Sequence, residues 1–159
     1  MIIASSCLLG KCCRYSGGHS KSQNVLDYLQ GQKYISVCPE ILGGMATPRL
    51  PAEIVGGTGK DVMLGKANVY NSQGQDVTGF FITGAHKAAK LAHKNKAVSA
   101  ILKENSPSCG VHNIYDGSFS GIRIPGIGVF ASLLQDMGLA LMTENFHFYS
   151  SDLENTCKR

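Results

Sequence analysis

The chain opens with MIIASSC at residues 1–7, a short apolar run that ends in a cysteine. The run is too short for a helix, and its nearly continuous apolar character is typical of a strand buried in a parallel sheet. We therefore predict a buried first strand that leads directly into Cys7.

The rest of the chain alternates between short apolar runs and helical patterns. Further strands are predicted at residues 34–37, 98–102 and 139–142. Apolar residues at helical spacing predict helices at residues 22–31, 78–95 and 126–137, with Ser22 and Thr78 as N-caps and Gly31 as a stop. Strands that alternate with helices predict an α/β fold with a mostly parallel sheet and right-handed crossovers.

Three other stretches have a different character. Glycine and proline dominate residues 43–59, which predicts a long loop of a kind that is often functional. Residues 62–64 and 67–70 are predicted to pair as a hairpin, and residues 113–124 form an irregular or hairpin excursion. The polar tail, residues 151–159, is predicted to fray, which makes Cys157 an incidental thiol.

Length and composition narrow the class of protein. The 159 residues suit one domain, and 43% hydrophobic with only 16% charged residues excludes an intrinsically disordered chain. The net charge of +4 suits a phosphate-bearing ligand but is too small for a dedicated nucleic-acid binder. No run reaches the roughly 18 apolar residues of a membrane helix, and the N-terminus lacks the basic region of a signal peptide. We expect a cytoplasmic protein.

The six cysteines are the most informative feature of the composition. In a reducing compartment they are free thiols, metal ligands or catalytic groups rather than a disulfide framework. Cys7, Cys38 and Cys109 each follow a predicted strand, at the edge where ligands bind in open α/β sheets. Each of them taken alone can equally be a buried structural cysteine. The chain has no C-x-x-C motif, and Cys12 and Cys13 remain alternative ligands.

A series of short motifs runs through nearly the whole chain. They are Cys7-Leu8-Leu9-Gly10, Arg14-Tyr15, Val37-Cys38-Pro39-Glu40, Gly43-Gly44, Thr47-Pro48-Arg49, Pro51-Ala52-Glu53-Ile54, Asp76-Val77-Thr78, Gly84-Ala85, Ser106-Pro107-Ser108-Cys109-Gly110 and Ile114-Tyr115-Asp116-Gly117. In this order they resemble the thiouracil desulfurase family, also described as domain of unknown function 523. The combination of Cys-Pro-Glu with Ser-Pro-Ser-Cys-Gly is the specific part of the resemblance.

The resemblance implies a fold, a cofactor and an activity. The fold is a Rossmann-like open sheet with helices on both faces in a single domain, and the cofactor is a [4Fe–4S] cluster held by Cys7, Cys38 and Cys109. The activity is desulfuration of a 2-thiouracil or 4-thiouracil type of base to the oxo-base and hydrogen sulfide, without net redox change. Three protein ligands leave one iron open for a soft thiocarbonyl sulfur. Expected substrates are a thiobase, a thionucleoside or thiolated tRNA.

Two side chains are predicted to be catalytic beside such a cluster. Glu40 follows Cys38 by two residues, so their Cα atoms lie at most about 7 Å apart, and its carboxylate can exchange protons with the attacking water. Its alternative role is that of a first-turn acid behind Pro39. Ser106 is predicted to orient the substrate or relay a proton, or else to initiate a turn.

Three further residues are predicted to bind the substrate. The planar fork of Arg49 can engage a carbonyl or a phosphate, although a solvated loop arginine is the simpler interpretation. Arg14 and Ser108 lie within the motifs listed above. The resemblance is the basis for predicting that they contact the substrate.

A second class of function remains open from the sequence. A non-catalytic zinc or iron–sulfur module can use the basic helix that carries Lys87, Lys90 and Lys94 to dock RNA. This alternative predicts a metal fully ligated by protein, with Cys12 or Cys13 as the additional ligand, so the number of ligands separates the two functions.

Overall fold

The computed structural model describes residues 1–146 of the chain; the predicted tail and Cys157 lie outside them. Eight strands and five α-helices follow one another in the described part. Their bounds are β1 (Ile2–Ser5), a 3-10 helix (Ser6–Leu9), α1 (Gln23–Leu29), β2 (Tyr34–Val37), α2 (Pro39–Leu42), β3 (Ala52–Val55), α3 (Gly59–Met63), β4 (Asn68–Asn71), α4 (Thr78–Lys94), β5 (Ser99–Leu102), β6 (Asn113–Tyr115), β7 (Arg123–Pro125), α5 (Val129–Asp136) and β8 (Ala140–Thr143).

The central sheet has four strands in the order β2-β1-β5-β8, and all of its pairings are parallel. Every residue of β1 is buried, as expected for an uninterrupted apolar strand in the middle of a parallel sheet. The prediction of an α/β fold with a mostly parallel sheet is confirmed. The four strands predicted at residues 1–6, 34–37, 98–102 and 139–142 are all present in this sheet, with bounds that differ by at most one residue from those expected.

Helices cover both faces of this sheet. Side chains that alternate along β1 divide between two cores: Ile3 packs in the larger core with α4 and α5, whereas Ile2 and Ala4 pack with α1. The predicted apolar face of α4 is buried throughout, and Lys87, Lys90 and Lys94 are exposed on its other face. This arrangement confirms the Rossmann-like expectation. None of the helices within residues 1–146 combines the length and apolar character that a membrane span needs.

Two antiparallel hairpins are inserted beside the sheet, and they correct two predictions. The long loop at residues 43–59 contains β3, which pairs with β4 through Ile54 and Val69. Residues 62–64 therefore do not pair with residues 67–70. Instead Val62 is buried on α3, a helix that begins with a capping box between Thr58 and Asp61. The hairpin alternative for residues 113–124 is confirmed by β6 and β7.

Two predicted helix starts also shift. Ser22 caps α1 as expected, because its hydroxyl accepts a hydrogen bond from the Val25 N–H. Thr78 is the first residue of α4 rather than its N-cap, and its hydroxyl accepts from the Val69 N–H at 2.9 Å, which ties α4 to β4. Residues 126–128 precede α5 instead of forming its first turn, because the Gly128 N–H donates to Gly110 in the loop after β5.

The contact between α2 and α4 depends on glycine. A Cβ atom at Gly84 would lie 1.9 Å from the Pro39 carbonyl oxygen, so the two helices approach closely only because Gly84 has no side chain. Since α2 carries Glu40 and begins directly after Cys38, this contact helps to set the position of both residues.

We expect Gly84→Ala to destabilise the protein by about 1–3 kcal/mol, the usual cost of overpacking, because a backbone atom must move to make room. Gly79→Ala on the same helix is the matched control. Its Cβ would meet nothing within 4 Å, so it should stabilise by about 0.4–1 kcal/mol. Urea unfolding of both variants measures the difference. Equal stabilities would contradict the close contact.

Candidate active site

The carboxyl ends of β1, β2 and β5 border one cavity of about 190 Å³. β1 lies between β2 and β5, so the strand order along the chain reverses at β1. In open α/β sheets ligands bind at the carboxyl ends of the strands beside such a switch point. Cys7, Cys38 and Cys109 all line this cavity. The structure thus brings the three predicted ligand residues to one place.

Cys7 and Cys38 follow the two neighbouring strands directly. Cys7 is buried in the 3-10 helix after β1, where its carbonyl accepts the N–H groups of Gly10 and Ser20 at 3.3 and 3.0 Å. Cys38 is half-buried and serves as the N-cap residue of α2. A hydrogen bond to the Cys13 thiol, followed by burial, raises the pKa of the Cys38 thiol above its usual range.

Cys109 is held by the loop that follows β5. The Ser106 hydroxyl accepts the N–H groups of Ser108 and Cys109 at 3.2 and 3.1 Å, and the first N–H of α5 donates to the Pro107 carbonyl at 2.8 Å. Burial raises the pKa of the Cys109 thiol, while the Ser5 and Ser106 hydroxyls act in the opposite direction. Ser106 therefore initiates the turn, as the simpler interpretation held, and also lines the cavity. Its catalytic role stays a prediction.

A fourth thiol lies in the same cavity. Cys13 hydrogen-bonds to the thiols of Cys38 and Cys7, whereas its neighbour Cys12 is exposed and does not line the cavity. The bond with Cys38 favours the Cys13 thiolate, but the bond with Cys7, burial and the charge of Cys7 outweigh it and raise the pKa of Cys13 to about 11. Within residues 1–146, no three His, Cys, Asp or Glu side chains are grouped closely enough to hold a single metal ion.

Glu40 lies in the first turn of α2 and is fixed from two sides. Its Oε2 accepts from Nε of Arg49 at 2.8 Å and lies 2.5 Å from Nη2 of the same side chain. Its Oε1 accepts from the Ser108 hydroxyl at 3.3 Å. The Arg49 and Glu40 side chains are only 8% and 16% exposed, so this ion pair is well shielded from water.

Arg49 lines the cavity, and its guanidinium group is bonded to several groups of the chain. Its Nη1 donates to the Ala46 carbonyl and the Thr47 hydroxyl, both at 3.2 Å, and its Nη2 also donates to the Cys13 carbonyl at 3.0 Å. Together with the bonds to Glu40, these contacts occupy all five N–H donors of the guanidinium group. Arg49 therefore positions Glu40 and the Cys13 loop, and its predicted contact with the substrate stays a prediction.

Ser108 and Arg14 differ in their access to the cavity. Ser108 is 2% exposed and lies behind Glu40 rather than among the lining residues, so its hydroxyl acts on the carboxylate. Arg14 lines the cavity, and its guanidinium carbon stands 5.6 Å from the ring centroid of Tyr15. In the described part of the chain the Arg14 guanidinium makes no hydrogen bond or ion pair. Arg14 is thus free to bind an acceptor in the cavity.

Two buried acids in the lining were not singled out from the sequence. Glu104 accepts from the N–H groups of His112 and Asn113, and so joins the loop after β5 to β6. Glu53 accepts from the N–H groups of Gly117 and Phe119 at 2.9 and 3.1 Å, which holds the β6–β7 turn beside the cavity. Glu53 lies within β3 and Glu104 lies two residues after the end of β5, and a buried acid needs hydrogen-bond partners.

The basic residues of α4 lie away from this site. Helix α4 leads into the start of β5, so Lys94 at its last turn lies near the amino edge of the sheet, opposite the cavity. Lys90 and Lys87 are exposed one and two turns earlier, respectively. The basic stripe is therefore separate from the thiols.

Comparisons with known proteins agree with this geometry. A solved structure, the [4Fe-4S]-dependent thiouracil desulfidase TudS (DUF523Vcz), is 36% identical with a TM-score of 0.80, and the match covers 98% of this chain and 97% of that chain. An uncharacterized protein of Bacillus subtilis (strain 168), YbbK, is 48% identical over 145 residues, which are 91% of this chain and 96% of that protein. The sequence model for 2-thiouracil desulfurase matches residues 2–145. The chain therefore belongs to the 2-thiouracil desulfurase family.

Proposed function

We propose that this chain, as a single α/β domain, removes the sulfur atom from a thiolated pyrimidine of the 2-thiouracil or 4-thiouracil type. Water replaces the sulfur, so that the products are the oxo-base and hydrogen sulfide and no electrons are transferred. The observation that carries the proposal is the convergence of three strand-end thiols on one cavity that also contains a fixed carboxylate. Family membership and the likeness to a thiouracil desulfidase support it.

The donor set of the cavity fits a [4Fe–4S] cluster. Soft thiolates are the usual ligands of such clusters, and Cys7, Cys38 and Cys109 all line the cavity. A cluster is wider than a single ion, which agrees with thiols that are not grouped around one point. Cys7, Cys38 and Cys109 would hold it. When bound, the cluster supplies a Lewis-acidic iron for the thiocarbonyl sulfur.

The side chains around the thiols have complementary roles. Oε2 of Glu40 accepts from two nitrogens of Arg49, whereas Oε1 accepts only from Ser108 and keeps a lone pair for a proton. Oε1 is therefore the oxygen that takes a proton from the attacking water and returns one to the departing sulfur. Ser106, which lines the cavity and accepts from the Cys109 N–H, orients the base. Arg14 binds a pyrimidine oxygen, or a phosphate when the substrate is a nucleotide.

A small thiobase or thionucleoside fits the site better than thiolated tRNA. The cavity is small, and the basic residues that would attract a long polyanion lie on α4, towards the opposite edge of the sheet. We place the reaction in the cytoplasm, where thiols stay reduced.

The role assigned to Arg49 can be separated from substrate binding by kinetics. Arg49→Lys keeps the positive charge but loses the planar fork, so Glu40 is held less firmly. We expect kcat to fall by up to about 10²-fold, as for a misplaced catalytic group, while KM changes little. Steady-state assays of Arg49→Lys and Arg14→Lys measure kcat and KM separately. The Arg14 variant is the comparison, since it should mainly raise KM. A large rise in KM for Arg49→Lys with unchanged kcat would instead support the predicted contact of Arg49 with the substrate and contradict its role in positioning Glu40.

Anaerobic reconstitution tests the proposed function as a whole. The purified chain is loaded with iron and sulfide, its iron content is measured, and it is assayed on 2-thiouracil, 4-thiouracil and their nucleosides. We expect iron uptake and release of sulfide and the oxo-base in equal amounts. Fully loaded protein that releases no sulfide from any of these compounds would overturn the proposal.

A further inference from the structure

Cys13 has no role in the proposed reaction, yet its thiol lies among those that do. It lines the cavity and packs against the apolar cluster that contains Cys7, and its carbonyl accepts a hydrogen bond from the Cys38 thiol. Its neighbour Cys12 has the same chemistry but is exposed and outside the cavity. The fold thus selects one of two adjacent cysteines and places it beside two of the three residues that would hold the cluster.

The backbone of Cys13 is fixed by hydrogen bonds. The Cys13 carbonyl accepts from Nη2 of Arg49 at 3.0 Å and faces the Cys38 thiol at 3.9 Å, and its N–H donates to the Lys11 carbonyl at 2.9 Å. A cysteine side chain has a single torsion with three staggered positions. The sulfur of Cys13 can therefore move into or out of the cavity while the loop stays in place on Arg49.

We propose that Cys13 is a displaceable fourth ligand of the cluster, an inference that rests on the proposed function. A [4Fe–4S] cluster normally takes four thiolates, and Cys7, Cys38 and Cys109 provide three. In the absence of substrate the Cys13 thiolate binds the remaining iron and shields it from water and oxygen. The substrate sulfur then replaces it: one sulfur–iron bond forms, one breaks, and no electron is transferred.

Displacement distinguishes this role from a permanent fourth ligand. A permanent ligand would close the site and leave a structural cluster, as in the non-catalytic module considered from the sequence. A displaceable ligand competes with the substrate instead. Removing it should lower KM, by about tenfold if Cys13 fills the position about nine-tenths of the time, because the site is then always available.

Mössbauer spectroscopy of protein reconstituted with ⁵⁷Fe tests the proposal independently of activity. Substrate-free wild-type protein should show only sulfur-ligated iron, and Cys13→Ala should show one distinct iron site per cluster. Cys13→Ser, which keeps the size of the side chain, should also show one iron site that is no longer ligated only by sulfur. Both variants should lose cluster absorbance faster in air and show a lower KM for 2-thiouracil. Cys12→Ala is the matched control and should behave as wild type.

The outcomes separate this inference from the proposed function. A distinct iron site already present in the wild type and unchanged in Cys13→Ala, with sulfide still released from 2-thiouracil, overturns the role of Cys13 alone. Wild-type protein that takes up no iron overturns both. A variant with a new iron site but an unchanged KM overturns displacement, because Cys13 then does not compete with the substrate.

Discussion

Replacing Glu40 by glutamine is expected to lower kcat for sulfide release from 2-thiouracil by about 10²–10⁴-fold, the usual contribution of a positioned general acid–base group. Glutamine has nearly the same shape, and its amide oxygen can still accept from Arg49, so the side chain should stay in place. What it loses is the ability to take a proton from water and return it to sulfur. Initial rates of sulfide release measure the effect.

Two readouts distinguish this loss from damage to the site. Iron content should be unchanged, since Glu40 is not one of the proposed ligands. KM should change little in Glu40→Gln, because Glu40 is assigned to proton transfer and not to substrate binding. A fully loaded variant with wild-type kcat would show that another group moves the proton.

Much of the fold follows from local sequence because its central strands are unambiguous. β1, β2 and β5 are short apolar runs bounded by polar residues, turns or proline, and such runs in an α/β alternation pair in parallel. Once the strands are known, their carboxyl edge is known as well. Cys7 and Cys38, which follow their strands within two residues, could therefore be placed at the site from the sequence.

The errors concern short segments whose neighbours decide their structure. The apolar triplet at residues 62–64 suits a strand or a helical turn equally, and the capping box of Thr58 and Asp61 was the missed signal for a helix. β3 is a strand of four residues within a glycine-rich stretch, and it exists because β4 pairs with it. Pairing of this kind is not visible in a local pattern.

The contacts of Arg49 within the chain could not be predicted from local sequence. A charged fork in a loop suggests a ligand contact, but every donor of Arg49 meets an acceptor of this chain, among them Glu40 and the carbonyl of Cys13. Those partners are 9 and 36 residues away in sequence, so no local rule brings them together. These contacts also link two parts of the site, because Arg49 holds both Glu40, the proposed proton-transfer group, and the loop that carries Cys13.

Cys109→Ala is expected to abolish cluster uptake and, with it, all release of sulfide. Removing one of three proposed thiolates leaves too few to hold the cluster, and the loss of a ligand is the largest single effect expected at this site. Cys109 is the most informative of the three. Cys13 lies beside Cys7 and Cys38 and could replace either of them as a ligand, whereas the groups beside the Cys109 thiol include the hydroxyls of Ser5 and Ser106. Iron per chain and cluster absorbance after anaerobic reconstitution measure the loss.

The matched control is Cys12→Ala, which removes an exposed thiol outside the cavity and should leave iron content and kcat as in the wild type. Thermal unfolding of metal-free Cys109→Ala shows whether its core survives, since the side chain is 5% exposed and contributes to packing. A variant that unfolds like the metal-free wild type but binds no iron supports ligation by Cys109. If the same variant takes up wild-type amounts of iron, the cluster is held without the cysteine of the loop after β5, and the arrangement of three strand-end ligands is wrong.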